Sequence, residues 1–152
     1  MMDSTNDAAY QRLLPILVVE DNKDQQLLYG YTLRVWLPQV RATFKRSAQE
    51  ALDYLAATCE ERPTHFPCLV LLDLHLPELW QGWQALSEIR SHYPRLPVIV
   101  MSNMPRQEII DKSYDLGAHS FLIKPYSLEE WEGQLTKLGE YWLDTVTLSK
   151  DC

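Results

Sequence analysis

Three acidic residues stand at the ends of short apolar runs. Asp73 closes Leu69-Val70-Leu71-Leu72, and Glu20 and Asp21 follow the run from Ile16 to Val19. Runs of this length and composition suit strands buried on both faces of a parallel sheet, and the C-terminal ends of such strands are where open α/β sheets bind ligands. The shared placement predicts one cluster of three carboxylates. Crowded carboxylates repel one another and raise at least one pKa unless a cation compensates. A hard divalent ion such as Mg²⁺ suits an all-oxygen set with no His-Cys cluster nearby. Asp73 is then placed to act as a carboxylate nucleophile in aspartyl-phosphate chemistry. A transferred phosphoryl group also needs positive charge and hydrogen-bond donors around its other oxygens; Ser102 closes the fourth apolar run and Lys124 the fifth. The formal charges agree, because one Mg²⁺ and Lys124 together balance the three carboxylates.

The elements that must hold these groups are legible. Strand-like runs recur at Ile16 to Val19, Val40 to Phe44, Leu69 to Leu72, Val98 to Met101 and Phe121 to Ile123, with helix-like stretches between them. Ser47-Ala48-Gln49-Glu50 and Ser127-Leu128-Glu129-Glu130 read as capping boxes, which starts a helix at Ala48, running to about Thr58, and another at Leu128. The segment from Glu60 to Pro67, polar with two prolines, reads as a surface loop. Repeated right-handed crossovers predict an α/β fold, a flavodoxin-like, doubly wound, five-stranded parallel sheet of (βα)5 type.

With 152 residues, 46% of them hydrophobic, the chain supports one good core. The expected layout is a disordered tail over residues 1–12, a compact domain over 13–147 with an extended C-terminal helix, and a short tail over 148–152. A net charge of -7, with 14 scattered Lys and Arg residues, argues against direct DNA binding. No segment approaches the roughly 18 apolar residues of a membrane span, so no membrane partner and a cytoplasmic location are expected. Cys59, Cys68 and Cys152 lack metal-site spacing and are expected to be reduced thiols, with Cys152 open to crosslinking in air.

Glu20-Asp21, Asp73 with Leu76-Pro77, Ser102, and Lys124-Pro125 together resemble the motif set of the receiver domain of two-component response regulators, over about Leu13 to Val146. The resemblance implies that Asp73 is the phosphoacceptor. It implies that Glu20, Asp21 and Asp73 hold Mg²⁺ with the main-chain carbonyl of His75, and that Ser102 and Lys124 bind the phosphoryl group. It further implies a cis bond before Pro125, an aromatic switch at Phe121 that turns inward with Ser102, and a sensor histidine kinase as phosphoryl donor. Three departures from the family pattern stand out. The Pro77 to Gly82 loop is one residue longer than usual and carries Trp80, with Trp83 just beyond. Asn103 replaces a small residue, and neither His75 nor Met104 positions water in an obvious way. A phosphorylated lifetime longer than seconds is expected, with at most slow self-dephosphorylation and no enzymatic turnover.

Leu128, Trp131, Leu135, Leu138 and Trp142 fall at spacings of 3, 4, 3 and 4, and Leu143, Val146 and Leu148 continue the apolar character. A helix this long is expected to project Tyr141, Trp142, Leu143 and Val146 past the sheet edge and expose an aromatic surface for a homodimer. The tail and the segment from Lys112 to Ala118 are similar to those of small regulators paired with cyanobacterial and bacterial phytochrome kinases, which dimerise through this end. The same tail motif also occurs in related single-domain receivers with other sensors.

Taken singly, each site residue has a bland reading: Asp73 as a cap, Ser102 as a surface hydroxyl, Lys124 as a solvated lysine. Their ordered placement at successive strand ends favours the site. Trp80, Trp83, Trp131 and Trp142 read as packing residues, and His65, His75, His92 and His119 show no spacing for catalysis. A phosphatase of the haloacid-dehalogenase kind would carry its Asp-x-Asp on the first strand, whereas Asp73-Leu74-His75 is on the third. A phosphorylation-independent, receiver-like scaffold is the alternative.

Overall fold

The computed structural model describes residues 13–149 and 151–152. The tail expected over residues 1–12 lies outside the described residues. Elements alternate along the chain as β1 (Leu14–Val19), α1 (Lys23–Trp36), β2 (Val40–Lys45), α2 (Ala48–Glu61), β3 (Leu69–Asp73), α3 (Leu79–His92), β4 (Val98–Ser102), α4 (Gln107–Asp115), β5 (Ser120–Ile123) and α5 (Leu128–Leu138), followed by a π-helix over Gly139–Thr145.

The strands form one parallel sheet in the order β2-β1-β3-β4-β5, as expected of a doubly wound fold. Every residue of β3 and β4 is buried, which explains their unbroken apolar sequences. Alternate side chains feed two cores. Leu17, Val19, Val70, Leu72, Val98 and Val100 pack under α2, α3 and α4. Ile16, Val18, Leu69, Leu71, Ile99 and Met101 pack under α1 and α5. Register then places the chemistry: Val19 pairs with Leu72 and Asp73 pairs with Met101, so Glu20 leaves β1 beside the end of β3.

Local signals hold the helices where the sequence puts them. Ser47 Oγ accepts from the Glu50 amide at 3.1 Å, and the Glu50 carboxylate reaches back to the Arg46 amide at 2.9 Å. Ser127 Oγ accepts from the Glu130 amide at 3.2 Å. The expected loop from Glu60 is shorter than its composition suggests, because α2 runs on to Glu61 and Pro63–His65 form a single 3-10 turn. Proline fits the first position of such a turn, where its missing N–H has no partner to lose.

α1 and α5 are joined by a buried hydrogen bond from Trp131 Nε1 to Thr32 Oγ1 at 2.8 Å, beside the Tyr29 ring at 4.9 Å between centroids. Trp131→Phe keeps most of the ring but removes the donor. It is expected to cost about 1–3 kcal/mol, measured as a lower urea midpoint at unchanged slope.

Two expectations about the C-terminal region are corrected. The helix does not carry its aromatic stripe straight past the sheet. At Gly139, where a Cβ would lie 2.5 Å from Leu37 Cδ2, it crosses tightly over the end of α1 and widens to a π-helix, with the Val146 amide donating to the Tyr141 carbonyl at 2.9 Å. The wider turn rotates the stripe, so Trp142 and Leu143 pack against their own domain on the α1/α5 side. Tyr141 alone of the four remains largely exposed, at 57%. The second correction concerns thiols: Cys59 and Cys152 form a disulfide, with Cα atoms 5.9 Å apart, and Cys68 alone is free and buried. The two cysteines are 93 residues apart and meet only because the segment after the π-helix crosses the molecule. Leu148 packs on the α1/α5 side while Cys152 packs on the α2/α3 side, beside the last turn of α2.

Candidate functional site: an acidic cluster with a buried lysine

The cluster predicted from the strand ends is present. Glu20, Asp21 and Asp73 each direct a carboxylate oxygen into one region, with these atoms within 4.8 Å of one another. Glu20 and Asp73 are buried, at 1% and 3% exposure. Lys124, at the end of β5, reaches across β4 to them, with Nζ 2.5 Å from Asp73 Oδ2 and 3.2 Å from Glu20 Oε2. The Asp73 carboxylate is held from its other side, where Oδ1 accepts from the His75 amide at 2.9 Å. Glu20 Oε1 accepts from the Asn22 amide at 3.3 Å.

Burial pushes the Glu20 carboxyl up to about 8, and its hydrogen bond to Asp73 and the Asp73 charge push in the same direction, against the pull of Lys124. Burial works against the Lys124 charge. Negative charge at Tyr29, Asp73 and Glu20 outweighs it and holds the ammonium above its ordinary range. Tyr29 itself is pushed up to about 12 by burial and is neutral at ordinary pH, so Asp73, joined by Glu20 once that group ionises, carries this effect. Fully ionised, three carboxylates against one ammonium would leave two negative charges uncompensated, and below about 8 the proton kept by Glu20 removes one of them. The converging hard oxygens suit one divalent cation, which would balance that charge.

The cluster opens into a cleft of about 610 Å³ that Tyr29, His75, Asn103, Tyr126, Leu128 and Trp131 help to line. Ser102 is fully buried at the end of β4, and its Oγ accepts from the Met104 amide at 3.1 Å. Phe121 is half-buried against the α2–α4 core. Tyr29 also borders the cluster, a placement that its sequence position does not announce. Its ring lies 5.9 Å from Lys124 Nζ, and the only available signal was its position four residues before Leu33 on the buried stripe of α1. The cis bond expected before Pro125 is also corrected. Among the described residues the cis peptide is Leu76–Pro77, and the bond before Pro125 is trans. Sequence alone could not locate it, because the trans preference before proline is only about 0.5–1 kcal/mol and local packing decides.

The first turn of α3 packs against the backbone just after β3 closely enough to require glycine. A Cβ on Gly82 would lie 1.9 Å from the Leu74 carbonyl oxygen, in the backbone next to Asp73. Gly82→Ala is therefore expected to destabilise by at least the upper part of the roughly 1–3 kcal/mol range for overpacking, and to weaken cation binding at the cluster. Urea unfolding and a Mg²⁺ titration of the same variant would measure both. Trp83 packs nearby with Lys112 Nζ 5.2 Å above its ring, whereas Trp80 stands 63% exposed on the rim.

A doubly wound sheet with three acids and a lysine at its strand ends defines a class of phosphoacceptor signalling domain. Residues 16–136 match the family described as the response regulator receiver domain, and the chain belongs to it. Among characterised proteins it is similar to response regulator Rcp1 of Synechocystis sp., 30% identical over 135 residues that make up 88% of this chain and 91% of that protein. The Mn(2+)-bound form of Rcp1 matches with a TM-score of 0.75 at 29% identity, covering 90% of this chain and 99% of that one. The phosphorylated cyanobacterial phytochrome response regulator RcpA matches with a TM-score of 0.77 at 33% identity, covering 90% and 98%. The probable methanogenesis regulatory protein FilR2 of Methanothrix harundinacea is 36% identical over 138 residues, 84% of this chain and 83% of that protein. Family membership sets aside the phosphatase reading, and the scaffold reading is not favoured. Interaction with a histidine kinase follows from the family. Among the described residues no helix is long and apolar enough to cross a membrane.

Proposed function

We propose that Asp73 accepts a phosphoryl group from a phosphohistidine of a sensor kinase, and that the protein signals as a non-enzymatic switch in the cytoplasm. The observation that carries this reading is the convergence of the Glu20, Asp21 and Asp73 carboxylates on one point, with Lys124 bonded to two of them. In this reading Glu20, Asp21, Asp73 and the main-chain carbonyl of His75 hold Mg²⁺, which supplies charge neutralisation for the incoming phosphoryl oxygens. An Asp73 carboxylate oxygen attacks phosphorus as the P–N bond to the imidazole breaks, leaving an acyl phosphate. Lys124 leaves its present carboxylate partners to meet a phosphoryl oxygen, and the Ser102 hydroxyl donates to another. Drawing Ser102 toward the phosphate frees space for Phe121 to turn inward, which biases a pre-existing equilibrium of the α4-β5-α5 face.

The likeness to RcpA, described as a phytochrome response regulator, supports a phytochrome as the kinase partner; a homodimer through the C-terminal segment, with Tyr141, Trp142, Leu143 and Val146 at its centre, is proposed from the apolar character of those residues. Because Trp142 and Leu143 pack inward, Tyr141 is the side chain from which such a contact would begin. Beryllofluoride with Mg²⁺ tests the site directly. Tight, Mg²⁺-dependent binding is expected, with a change in sedimentation if the C-terminal segment responds; absence of binding would leave a scaffold. Acetyl-phosphate loading followed by a chase is expected to show a phosphorylated lifetime longer than seconds, since the His75 amide is committed to Asp73 and Asn103 lines the cleft. Hydrolysis within seconds would reject that expectation.

A further inference from the structure

We propose that Cys59 and Cys152 form a thiol–disulfide exchange site, reducible by a protein dithiol, whose oxidised state fastens the segment after the π-helix onto α2. The bridge joins two parts of the chain that the domain otherwise holds together weakly. Among the described residues of Val146 to Cys152, the hydrogen bonds are local: the Val146 amide donates to the Tyr141 carbonyl, and the Asp151 amide to Ser149 Oγ. Among its described residues none lies in a helix or strand, and Leu148 is a partly buried anchor on the α1/α5 side. The covalent link is thus what carries the segment across to the α2/α3 side. Both bridge cysteines are partly exposed, as attack by an external thiolate requires. The third cysteine makes the contrast. Cys68 is buried in the core on the α1/α5 side, and burial pushes its thiol up to about 11, so it neither exchanges nor competes for either partner.

The exchange is balanced by the partner alone. One thiolate of the dithiol attacks a bridge sulfur, the Cys59–Cys152 bond breaks, and one protein thiolate leaves and takes up a proton. The partner's second thiol then attacks its own sulfur in the mixed disulfide, releasing the second protein thiol. Two electrons and two protons pass from the dithiol to the protein, and the partner ends as a disulfide. Reduction is expected to leave both cores intact, because the bridge cysteines sit only at the partly buried margin of the α2–α4 core, and to free the segment adjoining Tyr141. The redox state of two residues outside the acidic cluster and its cleft then sets the order of the surface next to the π-helix, whatever the state of the aspartate.

The full chain should be equilibrated with oxidised glutathione, then treated with reduced thioredoxin. Thiols are counted by maleimide labelling with mass spectrometry, and amide exchange is followed over residues 139–152. The expected result is a bridge formed in the first step and opened in the second, with strand amides still protected and exchange over Val146 to Cys152 faster by about tenfold or more. Cys152→Ser and Cys59→Ser should each reproduce the reduced pattern, and Cys68→Ser the oxidised one. The proposal is overturned if the bridge never forms, if thioredoxin leaves it closed, if opening leaves the exchange unchanged, or if reduction unfolds the whole domain.

Discussion

Asp73→Asn is expected to reduce acetyl-phosphate labelling and beryllofluoride binding to background, the largest single effect in the molecule. The amide is nearly isosteric and can still accept from the His75 amide at the Oδ1 position, so the loop after β3 keeps its shape. What disappears is the nucleophile and one of the three charges that hold a divalent cation. Stability should change little, because two effects oppose each other. Lys124 loses one of its two partners, while Glu20 loses the neighbour whose charge and hydrogen bond raise its pKa. Intact-mass spectrometry after acetyl-phosphate treatment, paired with urea unfolding, separates the outcomes. Labelling that persists in a folded Asp73→Asn protein would show that another side chain accepts the phosphoryl group.

The second large effect is on the dependence of stability and cation affinity on pH. Glu20 ionises near 8 in the metal-free fold against an ordinary 4.5. Below about 4.5 the group is protonated in both folded and unfolded chains. Between 4.5 and 8 the folded chain keeps a proton that the unfolded chain has lost, so raising the pH removes stability across this window, at up to about 1.4 kcal/mol per unit. Above 8 both states are ionised and the contribution is gone. A cation must displace that proton, so Mg²⁺ affinity should rise by up to about tenfold per unit toward pH 8 and then level off. His119, whose pKa burial and Arg90 lower, acts in the opposite sense on the acid side of the window. Comparing wild type with Glu20→Gln isolates the carboxyl: urea midpoints in EDTA should fall from pH 5 to pH 8 more steeply in wild type. An equal or shallower fall would contradict the raised pKa.

The site was readable because its parts sit at the ends of strands that announce themselves. Unbroken apolar runs at Leu69 to Leu72 and Val98 to Val100 can satisfy burial on both faces only in the middle of a covered sheet. The first polar residue after each run must then appear at the same edge. Asp73, Ser102, Lys124 and the Glu20-Asp21 pair were therefore placed by counting along the chain. Tyr29 was not, because one aromatic residue on an amphipathic helix looks like any other until the helix is docked beside Lys124. The bond from Trp131 to Thr32 is similar, since it links residues 99 apart that share no pattern.

The C-terminal region marks the same boundary more sharply. Spacing along residues 128–142 correctly predicted a helix that covers the sheet, because a 3.6-residue period is a local property of the chain. It did not predict the π-helix at Gly139, which arises where that helix meets Leu37, nor the inward turn of Trp142, nor the meeting of Cys59 with Cys152. By itself the sequence determined the class of fold, the strand ends and the residues at them, since burial and backbone hydrogen bonding act through periodicities that any short segment displays. Which proline is cis, which cysteines pair, how deeply Glu20 is buried and which aromatic groups face solvent were decided only by the tertiary structure. Each depends on the distance between groups far apart in the chain, and that distance exists only once the helices have packed.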